Sequence, residues 1–105
     1  MSLSFEVALE ATQAAVEEIN LSRSADEQLS TEPDAALYGV GSTLDSLGLV
    51  NVVMASEAHI GDATGLDIML ASEAAMSRKR SPYRSLRALA EYAVEVATAD
   101  VQAAE

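Results

Sequence analysis

The sequence predicts an all-α protein, built as a four-helix bundle with three longer helices, one short helix and a long first loop. Half of its 105 residues are apolar, but only 4% are aromatic, so the core must consist mainly of aliphatic side chains. Pro occurs twice and Gly five times, whereas Ala and Glu are abundant. This composition suits helices better than strands. Residues 1–105 are long enough for one domain and too short for two ordinary cores.

The first helix is expected to begin near Ser4, whose side chain suits an N-cap. Behind it, core-type residues recur at helical spacing. They are Phe5, Ala8, Leu9, Thr12, Val16 and Ile19. The chain then becomes polar, so we expect a long loop from about Asn20 to Leu44, with an extra helical turn near Ala25 to Leu29.

The second helix is expected to run from Ser46 to about His59, because Gly61 and Gly65 supply the backbone freedom that a helix end requires. Two neighbouring apolar stripes lie along it, which is more apolar surface than one buried face needs. One stripe consists of Leu47, Val50 and Met54, and the other of Leu49, Val52, Val53, Ser56 and Ile60.

The remaining chain is expected to hold the short helix and the last long one. Asp67 to Leu70 fits an extended segment, whereas Ala71 to Met76 fits a short helix. A final helix is predicted near Ser85, and the domain core to cover about residues 5–96, with the end at 98–105 frayed. The predicted inner face of this last helix consists of Leu86, Leu89, Ala90, Ala93, Val96 and Ala97.

Charge and hydropathy limit the partners. The net charge of −11 repels nucleic acid and anionic membranes. No apolar run approaches the roughly 18 residues of a membrane span, and the N-terminus does not read as a secretion signal, so we expect a cytoplasmic protein with no stable membrane insertion. Five of the six basic residues lie within ten positions: Arg78, Lys79, Arg80, Arg84 and Arg87. A solvated surface is favoured for them over a contact with an acidic partner.

The chain supplies few catalytic groups. Its only histidine, His59, lies thirteen residues after Ser46 on the same predicted helix, or roughly 20 Å away, which excludes a Ser-His pair. There is no cysteine, and one histidine with scattered carboxylates does not form a metal site. We therefore expect no enzymatic activity, no catalytic residue and no metal. Either Asp45 or Ser46 can cap the second helix. Ser46 is therefore either an ordinary helix N-cap or an acceptor for an attached phosphate at the positive end of the helix.

The stretch "LDSLGLVNVVMASE" resembles the attachment signature of acyl carrier proteins, and its "LDSLG" opening is similar to that of D-alanyl carrier proteins. In these families a serine opens the second helix of a four-helix bundle and receives phosphopantetheine from coenzyme A. The resemblance implies that Ser46 is the modified serine, that Asp45 assists the magnesium site of the transferase, and that an apolar stripe contacts partner enzymes. That stripe is Leu47, Val50 and Met54.

The resemblance further implies a monomeric carrier whose arm holds an acyl or aminoacyl group as a thioester. The partners would be a phosphopantetheinyl transferase, an acyl- or aminoacyl-activating enzyme, and a downstream acyltransferase or synthase. The second helix is poor in acidic residues, and "AMSRKRSPYRSLRALAEY" is similar to stand-alone carriers of polysaccharide or specialised-metabolite pathways. A dedicated partner is therefore expected, rather than the general fatty-acid synthase.

Other interpretations stay open at the level of sequence. The stripe of Leu47, Val50 and Met54 is either core or a partner contact. The protein is alternatively an unmodified helical adaptor or dimerisation module that binds a partner helix through its second helix, or a regulatory domain that has lost its modification. Tyr38, Tyr83 and Tyr92 are expected to pack on the bundle with their hydroxyls in water.

Overall fold

In the computed structural model, helices are the regular secondary structure of the described residues. The described residues are 3–39, 42, 44–77 and 79–104, with residues 74, 76 and 100–104 described by their backbone alone. The α-helices are α1 (Phe5–Asn20), α2 (Ser46–Thr64), α3 (Glu73–Met76) and α4 (Leu86–Ala104). A 3-10 turn covers Ala25–Glu27, and no strand occurs in this part of the chain. The predicted all-α class is therefore confirmed, with three long helices and one single-turn helix.

Helix α1 lies at the centre, because it packs against both α2 and α4. It begins as predicted, with the Ser4 hydroxyl accepting a hydrogen bond from the Val7 N–H at 3.2 Å. Its buried face is made of small or β-branched residues, which let neighbouring helices approach closely. They are Ala8, Ala11, Thr12, Ala15 and Val16. Of the predicted set, Phe5, Leu9 and Ile19 are only partly buried at the edge of this face.

Helix α2 is longer than predicted: it ends at Thr64 rather than near His59. Gly61 therefore lies inside the helix, and Gly65 alone ends it, with a φ of 77° and its N–H bonded to the Gly61 carbonyl at 2.8 Å. The physical reason is Ile60, which is fully buried. Burial of this side chain stabilises the helix by more than one glycine destabilises it.

The first loop is long and carries an extra helical turn, as predicted, and hydrogen bonds fix its first half to α1. The Asn20 amide donates to the Leu29 carbonyl at 2.9 Å and accepts from the Leu29 N–H at 2.8 Å. Gln13 donates to the carbonyl of Thr31 at 3.0 Å. Loop backbone is thus held by side chains of the preceding helix.

The second half of the loop is attached to the start of α4. Ala36 and Ser85 form an isolated antiparallel bridge, and the Leu37 N–H donates to the Arg84 carbonyl at 3.0 Å. The Arg87 guanidinium binds the Asp34 carboxylate through two hydrogen bonds, of 2.6 and 3.1 Å. This pairing lowers the pKa of Asp34 and raises that of Arg87.

Arg87, a member of the basic cluster, therefore has a structural role. Arg87 binds the loop, whereas Lys79 and Arg80 are exposed and Arg84 is half-buried. Arg78 lies outside the described residues. The described members support the interpretation of this cluster as a mainly solvated surface.

Buried polar contacts join the segment between α2 and α4 to the core. The Glu57 carboxylate accepts from the Leu70 N–H at 2.6 Å, and the Tyr83 hydroxyl donates to the Leu70 carbonyl at 2.7 Å. The prediction of a wet hydroxyl was thus wrong for Tyr83, which is buried, and burial raises its pKa. Residues 67–70 form neither helix nor strand, and the predicted short helix is the single turn α3.

The inner face predicted for α4 is largely confirmed. Leu86, Leu89, Ala90, Ala93 and Ala97 are buried, and Val96 is half-buried. The Ser85 hydroxyl accepts from the Ala88 N–H at 3.0 Å at the start of the helix, where the sequence predicted it. The backbone is helical up to Ala104, and the expected fraying of residues 98–105 stays a prediction.

Replacing Tyr83 by Phe should lower the free energy of unfolding by about 1–3 kcal/mol, because the buried Leu70 carbonyl loses its donor. Urea denaturation followed by circular dichroism measures this change. Tyr38→Phe is the control and should lose clearly less stability, because the hydrogen bond of its hydroxyl is exposed and water can replace it. Equal stability of the two variants would contradict a structural role for the Tyr83 hydrogen bond.

Candidate functional site

Asp45, and not Ser46, caps the start of α2. Asp45 has an extended backbone, with φ −87° and ψ 177°, and its Oδ1 accepts from the Gly48 N–H at 2.7 Å. This is the bond that an N-cap side chain makes to the third residue of a helix. Ser46 is the first helical residue, so its hydroxyl does not serve as the cap. The interpretation of Ser46 as an ordinary N-cap is therefore wrong.

The Ser46 side chain is exposed at the surface, where a second protein can reach it. Its Oγ lies 3.1 Å from the Tyr38 hydroxyl, and either oxygen can be the donor. Tyr38 stands eight residues earlier, in the first loop. Sequence reasoning did not connect these two residues, because helical periodicity carries no information about where a long loop returns.

Gly48 has a local steric role that sequence reasoning also missed. A Cβ atom at this position would lie 2.6 Å from the Leu44 Cδ1 and 3.1 Å from the Asp45 Oδ1. The absence of a side chain lets the buried Leu44 and the capping carboxylate approach the first turn of α2. The glycine in "LDSLG" thus accommodates the cap and the core residue before it.

The two apolar stripes of α2 lie in different environments. The second stripe faces the core, since its members Leu49, Val52, Val53, Ser56 and Ile60 are all buried. Leu47, Val50 and Met54 are 71%, 46% and 59% exposed, and we call them the exposed apolar face of α2. They are spaced by three and four residues, so they lie on one side of the helix. The open alternative of a core position is therefore excluded for these three residues.

This part of α2 is also uncharged. No Asp, Glu, Lys or Arg occurs from Ser46 to Ser56. The capping Asp45 precedes this stretch, and Glu57, whose carboxylate is bonded to the Leu70 backbone, follows it. His59 lies further on, with its Nε2 2.9 Å from the Glu18 Oε2, and thereby joins α2 to α1. The three exposed apolar side chains and the residues between them are thus neutral, with Asp45 before them and Glu57 after them.

Neither a catalytic pair nor a metal cluster is found at this site. His59 lies on α2 as expected, and thirteen helical residues separate it from Ser46 by roughly 20 Å. Among the described residues, no three His, Cys, Asp or Glu side chains are grouped so that they could hold a metal ion. Across the same residues, none of the helices has the length and apolarity needed to cross a membrane.

A scan of protein-family models, a search of curated proteins and a search of solved structures each found no match to this chain. We therefore interpret the site from three observations. Asp45 caps the helix, Ser46 presents an exposed hydroxyl beside Tyr38, and three exposed apolar side chains follow on the same helix.

Replacing Asp45 by Ala should lower the free energy of unfolding by about 1 kcal/mol, because the Gly48 N–H loses its acceptor. Asp45→Asn retains an acceptor oxygen, so its free energy of unfolding should fall clearly less. Urea denaturation at neutral pH compares the two variants with the wild type. An Ala variant as stable as the wild type would show that α2 does not depend on this cap.

Proposed function

We propose that this protein is a carrier that bears an acyl or aminoacyl group as a thioester on a phosphopantetheine arm attached to Ser46. It shuttles that group between partner enzymes of a biosynthetic pathway, and its three long helices with the short α3 represent a four-helix bundle of acyl-carrier type. The observation that carries the proposal is the Ser46 hydroxyl, which is exposed at the first position of α2 while Asp45 performs the capping.

The residues around Ser46 fit a phosphate-linked arm. The first backbone N–H groups of a helix lie at the positive end of its dipole, which favours an attached phosphate. Tyr38 adds a neutral hydroxyl at hydrogen-bond distance from the Ser46 oxygen. When bound, the arm would supply a thiol, a group that this cysteine-free chain lacks.

Attachment requires only a nucleophilic oxygen from this protein. The Ser46 Oγ would form a bond to the phosphorus of coenzyme A that carries the pantetheine, and adenosine 3′,5′-bisphosphate would leave. The hydroxyl proton would pass to a base of the phosphopantetheinyl transferase, which agrees with the distance of His59 from Ser46. Asp45, next to the reacting oxygen, would assist the magnesium ion of that enzyme while its Oδ1 keeps the helix capped.

The partner enzymes would dock on the exposed apolar face of α2. The transferase, the acyl- or aminoacyl-activating enzyme and the downstream acyltransferase or synthase all have to approach Ser46, and Leu47, Val50 and Met54 lie beside that approach. Because these three side chains are apolar, their burial would contribute most of the binding there. The protein would act as a monomer in the cytoplasm, where coenzyme A is available.

Incubation with coenzyme A, magnesium and a broad-specificity transferase should add the mass of one phosphopantetheine to the wild type and none to Ser46→Ala. Intact-protein mass spectrometry measures the gain. Ser77→Ala, at an exposed serine at the end of α3, should gain the same mass as the wild type. An unmodified wild type beside a working positive-control carrier would contradict the proposed function.

The exposed apolar face also suits the rival function, a helical adaptor or dimerisation module. That function requires no cofactor, so Ser46→Ala would leave the function unchanged. The purified protein would self-associate or bind a peptide helix. A carrier-like regulatory domain without modification would gain no mass either. The mass measurement, together with sedimentation of the purified protein, therefore separates the three functions.

Replacing Met54 by Glu should slow transfer of phosphopantetheine to Ser46 by roughly tenfold or more, because a charge would have to be desolvated at the interface. Met69→Glu is the matched control, since Met69 is 68% exposed but lies in the segment after α2. Transfer kinetics at limiting carrier concentration measure the effect, and circular dichroism verifies helicity. Equal transfer rates for the two variants would contradict the assignment of Met54 to the docking surface.

A further inference from the structure

The hydrogen bond between Tyr38 and Ser46 points to a function for the first loop. We propose that Tyr38 is a positioning residue, whose hydroxyl donates to the Ser46 Oγ and holds it in the rotamer that reacts with the transferase. The inference rests on the proposed function, and it assigns to the loop the presentation of the attachment oxygen. The contact that motivates it is the 3.1 Å distance between the two hydroxyl oxygens.

The backbone next to Tyr38 is held by several hydrogen bonds. The preceding residue, Leu37, is buried, and its N–H donates to the Arg84 carbonyl. The Leu37 carbonyl accepts from the Ser42 hydroxyl at 2.6 Å, and the same hydroxyl accepts from the Leu44 N–H at 3.1 Å. Tyr38 therefore extends from a loop segment that is bound to the start of α4 on one side and to the entry of α2 on the other.

A hydrogen-bond partner is needed to fix the rotamer of Ser46, because the backbone of this residue does not determine that rotamer. The Asp45 cap fixes the first turn of α2 but does not bond the Ser46 hydroxyl. An exposed serine side chain can occupy more than one staggered rotamer. A hydrogen bond of ordinary net strength favours one of them by roughly three- to tenfold.

The direction of the hydrogen bond matters for the reaction. A serine oxygen has one proton and two lone pairs. With Tyr38 as donor, one lone pair is occupied, the second stays available to attack phosphorus, and the Ser46 proton stays available to the base of the transferase. If Ser46 were the donor instead, its proton would be directed to Tyr38 and away from that base.

The first part of the test measures the rotamer in the unmodified protein. Three-bond couplings between the Hα and Hβ protons of Ser46, measured by NMR, should show one dominant rotamer in the wild type. In Tyr38→Phe they should approach the averaged values of a freely rotating side chain. Tyr92→Phe is the matched control, since the Tyr92 hydroxyl bonds to Ser72 and not to Ser46, and it should leave the Ser46 couplings unchanged.

The second part measures the modification. With saturating coenzyme A and a varied concentration of carrier, Tyr38→Phe should lower the kcat of phosphopantetheine transfer by roughly two- to threefold, because the population of the reactive rotamer falls from a clear majority to about one third. Its KM should stay within about twofold, because the phenyl ring and the exposed apolar face are retained. Tyr92→Phe should behave as the wild type in both parameters.

Each outcome separates this inference from the proposed function. The wild type could accept phosphopantetheine and yet show averaged Ser46 couplings before modification, or Tyr38→Phe could have the same kcat as the wild type. Either result would overturn the role of Tyr38 and leave the carrier function intact. A faster Tyr38→Phe would also overturn it, because the hydrogen bond would then restrain the reaction. A wild type that accepts no phosphopantetheine would overturn both.

Discussion

The hydrogen bond from the Gly48 N–H to the Asp45 carboxylate is the interaction on which the candidate site depends. It starts α2 at Ser46, so the serine becomes the first helical residue and keeps its hydroxyl for another partner. Successive helical residues are 100° apart, and burial of the stripe at Leu49, Val52 and Val53 turns the opposite side outward. The cap and this buried stripe together determine that Leu47, Val50 and Met54 are exposed beside the serine.

The first loop also contributes to the candidate site, because it links α1 and the start of α4 to the region of Ser46. Its beginning is bonded to Asn20 at the end of α1, and its later part to Arg84, Ser85 and Arg87 at the start of α4. Tyr38 lies between this second attachment and α2. Tyr38, which contacts the Ser46 oxygen of α2, thus belongs to a loop that is bonded to both α1 and the start of α4.

Much of the fold was predictable, because helix caps and apolar periodicity are local properties. The Ser4 cap followed from its residue type and the inner face of α4 from spacing, whereas spacing showed two apolar stripes on α2 without deciding whether both are core. The end of α2 was missed because the burial of Ile60, which is a tertiary effect, outweighs the local signal of Gly61. The contacts of Tyr38 and Tyr83 were missed for a similar reason: each joins residues that no periodic pattern relates.

The uncharged stretch of α2 has a consequence for the kinetics of association. A net charge of −11 produces a long-range field that attracts a basic surface, and added salt screens this steering. The final contact at Leu47, Val50 and Met54 would instead depend on shape and apolar burial, which salt weakens little. Ionic strength would therefore change the association rate constant of a partner much more than its dissociation rate constant.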